Sequence, residues 1–354
     1  MIRFTRRNLL ATAGAATCLS LSAPRILRAQ NALPELTTMR STSKSWLWAV
    51  EDYANTEGFF TEAGVSVISN ASQRGNNVPA LQGGGVDIVL GAPAEALRAQ
   101  ARNLKIHTIA SMVNRYASHV MLKKEIMEKA GVTEASPAAD KIALLRGLKL
   151  GTTGSGAAPD ALFRYLAMLG GMNPDTDFQL VPIQGGGSGI LAALGQNVID
   201  GFCLSSPTAD MSVAQQNCDY LFQMVLNPPE QLREYQYIIA TVGDETIASK
   251  RTELVGYCRG LALAQRSIAN EPERFQAWAK IWFEGIPPEI FDTAFANNSK
   301  IYFADPTPSK ALHDLNINFI NTVNSMMNVE SLPDTLTYEA TIDPTLAQEA
   351  VKDL

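Results

Sequence analysis

The chain has 354 residues, of which 46% are hydrophobic and 18% charged, and a formal net charge of −6. That length allows two globular units, the composition excludes a disordered or collagen-like polymer, and the acidic balance excludes nucleic acid or an anionic membrane surface as the main partner. Beyond residue 30 there is no run of about 18 apolar residues, the length a membrane-crossing helix needs.

The first thirty residues hold five arginines (Arg3, Arg6, Arg7, Arg25, Arg28) and no acid, around the small apolar stretch LLATAGAATCLSLSA. This is the pattern of a secretory signal peptide. The pair Arg6-Arg7 within TRRNLL resembles a twin-arginine export signal, so residues 1–29 are expected to direct the chain to the periplasm and to be cleaved after Ala29. Ala-Ala-Thr ahead of Cys18 lacks the residues of a lipoprotein site. The remainder keeps 24 of the 29 basic residues against all 35 acidic ones, a charge of −11. Its cysteines, Cys203, Cys218 and Cys258, are too few for a disulfide framework. An oxidising compartment would permit a Cys203–Cys218 bridge; burial as small hydrophobes is the other reading. His107, His119 and His313 are far apart and no zinc-type spacing occurs, so neither a metal nor a cofactor is expected.

From residue 35 the periodicity alternates. ELTTMR (35–40) reads as a strand, STSKS as a loop of helix-capping residues, and WLWAVEDYANTEGFF as a helix closing near a glycine. VSVIS (65–69) is a strand, NASQRGN a polar loop, NVPALQ a short helix, VDIVLGA a buried strand and LKIHTIASMV (104–113) another. SHVMLKKEI (118–126) opens a second unit, in which LKLGT (148–152) is a strand, TGSGAAP a glycine-rich loop and DALFRYLAML a helix. FQLVPI is a strand, QGGGSG a loop, ILAAL a helix and VIDGFCLSS a strand. Such alternation predicts mostly parallel α/β sheets. From about 255 only helical spacing remains, punctuated by NEP, PPE and DPTPS, in a tail expected to pack back across the lobes, mainly on the first.

One device occurs twice. Residues 65–92 and 178–205 align without a gap as strand, glycine-bearing loop, short helix, turn, Asp, strand, with Asp87 and Asp200 in register. Each copy delivers small-residue loops to the carboxyl edge of a parallel sheet, where open α/β sheets bind ligands. The two aspartates are read as turn or helix-packing residues.

EGFFTEAGVSV, PALQGGGVDIVLGAP, LLRGLKLGTTGSG, YLAMLGGMNPDTDFQLVPI and ILAALGQNVIDGFCLSSP follow one another in an order that resembles the nitrate/sulfonate/taurine group of periplasmic solute-binding proteins, which includes thiamine-precursor binders. The resemblance spans roughly 35–285. It implies the α/β type II periplasmic binding fold: lobe one at 33–114 and about 255–354, lobe two at about 117–250, with crossings near Asn114-Arg115-Tyr116 and near 245–254. It also implies a monomeric, non-catalytic protein that captures a small-molecule solute and presents it to the membrane permease of an ABC importer.

Candidate ligand contacts follow from the loops. In lobe one they are Ser41, Thr42, Ser43 and Trp46, then Ser72, Arg74, Gly75 and Asn76, then Gly91, Ala92 and Pro93. Asn114 could donate from the hinge. In lobe two they are Thr153, Gly154, Ser155 and Gly156, an anion-nest sequence, then Gln184 and Gly185, then Ser205, Ser206 and Pro207. The glycine runs also read simply as tight turns. Arg40, Lys44 and Arg74 put three cations near these loops, which suggests an anionic ligand, although Arg40 and Lys44 equally read as solvated charge. Trp46 and Trp48, two positions apart, cannot both face the cleft.

Other function classes have less support. TGSG and GGGSG lack the Lys-Ser/Thr of a P-loop, there is no G-x-S-x-G elbow, and the Lys/His set and Cys cluster of pyrimidine synthases on this fold are missing. A solute-binding sensory protein has the same sequence signature as a transporter component. For the ligand, a sulfonate or taurine-like anion comes first, an aromatic or pyrimidine solute stacked on Trp46 or Tyr116 second, and nitrate third. Arg74→Ala is expected to weaken an anionic ligand by roughly 1.5–3 kcal/mol, measurable by titration calorimetry; unchanged affinity would remove Arg74 from the site.

Overall fold

Alternating burial along Glu35–Arg40 (β1) starts the first of two five-stranded sheets in the computed structural model, which describes residues 32–72 and 77–354. The other strands are β2 (Ser66–Ala71), β3 (Ile88–Gly91), β4 (Ile106–Val113), β5 (His119–Lys123), β6 (Lys149–Thr152), β7 (Gln179–Pro182), β8 (Gly201–Leu204), β9 (Cys218–Phe222) and β10 (Ile238–Gly243). The first sheet has the order β2-β1-β3-β10-β4 and the second β7-β6-β8-β5-β9. β1 runs parallel to β2 and β3, and β6 parallel to β7 and β8. In each sheet one strand is reversed: β10 is antiparallel to β3 and β4, and β5 is antiparallel to β8 and β9.

The reversed strands are those that arrive from the opposite lobe. β5 follows β4 through residues 114–118, where the sequence places the first crossing. The return runs through residues 223–237, between β9 and β10. This corrects the expected return near 245–254 and moves the end of lobe two back from about 250. IIATVG is a short apolar run like any central strand, and only its pairing with β3 and β4 assigns it to lobe one. β9, β10 and the helices Pro93–Gln100 and Thr208–Gln216 have no counterpart in the sequence reading. The stretch read as the loop QGGGSG is largely the first turn of the helix Gly186–Gly195.

The repeated aspartates have one job in both lobes. Asp87 Oδ2 accepts from the Thr37 amide at 2.8 Å and from Thr37 Oγ1 at 3.1 Å, while its other oxygen pairs with Lys250 at 2.8 Å. Asp200 Oδ2 accepts from the Lys149 amide at 2.8 Å. Each carboxylate joins neighbouring strands at the amino edge of its sheet, opposite the carboxyl edge that carries the binding loops.

The tail straddles the lobes. The helix Arg251–Asn270 packs on Ala49–Thr56, Phe59–Glu62 and Thr345–Val351, and Gly260 lets it approach closely, since a Cβ there would lie 2.3 Å from the Phe60 ring. The helix Lys310–Met326 packs on both Ala158–Leu169 of lobe two and Pro93–Gln100 of lobe one, and Pro288–Asn298 packs on Thr208–Gln216. Residues 301–306 cover the outer edge of β4, with Asn114 N to Ile301 O at 2.7 Å and Ser111 N to Pro306 O at 2.7 Å. An otherwise open sheet edge is thereby closed. Cys203, Cys218 and Cys258 are buried free thiols; Cys203 and Cys218 lie on strands flanking β5 and do not bridge. Asp87→Ala is expected to cost about 1–3 kcal/mol by urea unfolding, the scale of charge-assisted bonds left unmade, without changing ligand affinity measured on the same protein.

Candidate functional site

The carboxyl ends of β1 and β3 face those of β6, β7 and β8 across a cavity of about 550 Å³, within the usual range for small-ligand sites. Lobe one supplies Ser41, Thr42, Lys44, Ser45, Leu47 and Trp48 after β1, and Leu90, Gly91, Ala92 and Glu95 after β3. Lobe two supplies Ser118, Thr153, Ala157–Pro159, Ile183–Ser188 and Leu204–Thr208, with Tyr237 and Ile238 beside the returning crossing. Four helices begin on this rim, at Pro93, Ala158, Gly186 and Thr208. Their first-turn amides lack intrahelical partners and carry partial positive charge, so the rim is electropositive even where no basic side chain stands.

The lobes touch across the cavity. Ser45 Oγ donates to Ser206 O at 3.0 Å and lies 3.3 Å from Ser205 Oγ, and the Trp46 amide reaches Ser206 O at 3.4 Å. On the other side Arg98 Nη1 donates to Gly156 O at 2.8 Å. At the hinge Ser118 Oγ and Tyr237 OH are 2.6 Å apart. Two loops of lobe two are pressed together by glycine: a Cβ at Gly187 would fall 2.2 Å from Thr208 Oγ1, and Gly185 adopts φ +87° just ahead of the helix. Of GGGSG, Gly185 and Gly186 take left-handed φ values, the helix begins at Gly186, and residues 185–188 line the rim.

Of the residues singled out by sequence, Ser41, Thr42, Gly91, Ala92, Thr153, Gln184, Gly185, Ser205, Ser206 and Pro207 line this cavity. Gly154, Ser155 and Gly156 line a neighbouring cavity of about 440 Å³ with Arg98 and Arg102, and Thr153 and Glu95 border both. Pro93 is buried at the start of its helix. Ser43 contributes its carbonyl to Arg40, and Asn114 donates to Tyr302 O at 3.1 Å instead of entering the cleft. Ser72 Oγ bonds to Asn77 Oδ1. Arg74, Gly75 and Asn76 lie outside the described residues, as does the twin-arginine segment.

The expectations for Trp46, Tyr116 and Arg40 are overturned. Trp46 is not a cleft wall: it is fully buried, stacked on Phe283 at 4.4 Å and ringed by Phe275, Phe291 and Phe295 of the tail. Trp48 lines the cleft in its place, its Nε1 held by Thr42 Oγ1 at 3.0 Å. Tyr116 is likewise core, packed on Tyr235 and Tyr237. Arg40 is neither solvated nor aimed at a ligand. It is buried between Glu51 at 3.2 Å and Asp52 at 2.6 Å, and a second bond to Ser43 O at 2.8 Å fixes the 41–45 loop. Burial pushes the Asp52 carboxyl up to about 7, with Arg40 pulling it back. Lys44 does reach the cavity, although its Nζ donates to Trp282 O at 2.9 Å.

The residue that sequence reasoning missed is Glu95. It sits in the first turn of Pro93–Gln100, where an acid is ordinary helix chemistry, so the local pattern carries no signal. Its Oε2 is buried with no hydrogen-bond partner among the described residues, and burial pushes the carboxyl up to about 8, with Arg98 pulling it back.

Two α/β lobes, each a sheet with one strand reversed by a crossing, enclosing a cavity between their carboxyl edges, define the type II periplasmic binding fold. Residues 53–282 match the NMT1-like family, and the chain belongs to that family. Solved structures share the fold at low identity. A protein of Bordetella bronchiseptica RB50 is 15% identical over 90% of this chain and 97% of its own, with a TM-score of 0.70. The alkanesulfonate-binding protein SsuA of Xanthomonas axonopodis pv. citri, bound to MOPS, is 14% identical over 88% and 99%, with a TM-score of 0.66. The periplasmic nitrate-binding protein NrtA of Synechocystis PCC 6803 is 17% identical over 91% and 88%, with a TM-score of 0.65. No curated protein matches by sequence.

The Glu95 shift has a definite sign. Folded, burial pushes the carboxyl up to about 8 from its ordinary 4.5. Its contribution to stability is therefore complete below about pH 4.5 and is lost as pH rises through 8. Unfolding of the ligand-free protein across pH 5–9 is expected to show a decline that Glu95→Gln reduces; parallel curves for the two proteins would contradict it.

Proposed function

We propose that the chain is the periplasmic solute-binding component of an ABC-type importer, exported by its twin-arginine segment and acting as a monomer that delivers a small organic anion to a membrane permease. The observation that carries this reading is the 550 Å³ cavity, to which both lobes contribute their loops and helix starts. A solute held there touches both halves, so its binding free energy favours the closed arrangement over an open one. The SsuA and NrtA structures, whose names give sulfonate and nitrate as ligands, support the class.

The lining favours an anion with a carbon skeleton. Helix starts and serine and threonine hydroxyls offer donors for a sulfonate or carboxylate, while Leu47, Trp48, Leu90 and Ile183 supply apolar walls that nitrate would leave uncovered. Trp48 is also the observation that keeps an aromatic or pyrimidine solute as the second reading. The site's chemistry is that of capture: no nucleophile–base pair is formed by the residues described above.

Thermal-shift screening of the purified protein against sulfonates, carboxylates, pyrimidines and nitrate tests the reading. A true ligand at 100 times its Kd stabilises by about 2.7 kcal/mol. Small-angle scattering with that ligand is expected to show a particle no larger than the ligand-free one, and transport in cells is expected to need the permease. Failure of every class to bind would sink the proposal.

A further inference from the structure

Glu95 is hard to explain as a structural residue. An unpaired carboxyl removed from water is costly, and an acid in the first turn of a helix normally faces solvent or caps its own amides. Here Oε2 is buried and accepts no hydrogen bond among the described residues, while Glu95 itself lines the cavity. Two described cations near it are engaged elsewhere. Arg98, one turn along the same helix, makes no ion pair with it and instead donates to Gly156 O at 2.8 Å and Asn324 Oδ1 at 3.4 Å. Lys44 donates to Trp282 O. Room is also kept for the carboxyl: a Cβ on Gly91 would lie 2.7 Å from Glu95 Oε2, so any side chain there would displace it.

We propose that Glu95 is the recognition residue for a protonated amine on the solute, so that the natural ligand is zwitterionic, with its anionic end among the lobe-two helix starts and its cationic nitrogen on Glu95. This rests on the cleft being the solute site. The division of labour follows from the charges on the rim. The helices starting at Gly186 and Thr208 present amides and hydroxyls, suited to an anion, while Glu95 stands on the opposite lobe as an acceptor. A ligand spanning both ends would draw the lobes together through complementary charges.

The groups facing Glu95 are Arg98 on its own helix and Tyr237 of the returning crossing, with Asp160 and Arg102 acting on Arg98. None of these outweighs burial, which raises the carboxyl's affinity for its proton. Arrival of an ammonium therefore favours ionisation, and binding at pH 7 releases a proton to the buffer.

The test is titration calorimetry with matched pairs that differ only in the polar terminus: taurine against isethionate, and β-alanine against 3-hydroxypropionate. In the wild-type protein the amine of each binding pair is expected to bind at least tenfold tighter than its hydroxyl partner. Its binding enthalpy should vary between phosphate and Tris buffers with the sign of proton release. In Glu95→Gln the preference and the buffer dependence should both disappear while the hydroxy acid still binds. Equal affinities within the pairs in the wild-type protein, or a preference that persists in Glu95→Gln, would overturn the inference and leave the cleft as a solute site. If neither these four probes nor any class in the earlier screen binds, the reading of the cleft falls and this inference falls with it.

Discussion

Two chain crossings, at 114–118 and 223–237, hold the carboxyl edges of two mixed sheets against one gap, and the rest of the molecule depends on that constraint. A parallel strand leads into its helix at one edge only, so every loop with free amides collects there. Because β5 and β10 each enter the sheet of the other lobe reversed, the two edges face each other instead of pointing apart. The helix starts on the rim then act on one small volume, where they reinforce one another as they could not on an outer surface.

The charges are arranged to keep that volume receptive. Arg40 is drawn inward by Glu51 and Asp52, so the strongest cation near the first loop organises the protein and not the ligand. Removing one partner of such a buried set would strand the others, which explains why the 41–45 loop is held so firmly. Arg98 and Ser45 instead reach across to lobe two, giving the closed arrangement contacts that do not require solute. Glu95 lines the cleft with a buried oxygen that has no hydrogen-bond partner among the described residues. Its unmet bond is a feature of the cleft and not of the core.

Much of the architecture was legible in the residues. Alternating strand and helix periods from Glu35 to Ser206 identified the fold class, and the gap-free repeat of strand, loop, helix and Asp located the binding edges of both lobes. The glycine and serine loops at 184–188 and 205–207 were found because backbone amides need small residues beside them to be reached. The family phrases at 57–67 and 190–207 pointed the same way. The reading of Trp46 and Tyr116 as ligand walls failed for a physical reason: a large aromatic near a loop is equally suited to a core, and the partners that decide, Phe275, Phe283 and Phe291 for Trp46 and Tyr235 and Tyr237 for Tyr116, lie more than 100 residues downstream.

The sequence by itself determined the local periods, the loop chemistry and the order of the elements, because each is set by neighbours a few residues apart. Tertiary structure alone decided where the chain returns to lobe one, since Ile238–Gly243 becomes a lobe-one strand only by pairing with β3 and β4. It also decided which charges are free. Arg40, Lys44 and Glu95 have similar local settings beside the rim, and their different fates depend on long-range contacts that no spacing of residues encodes.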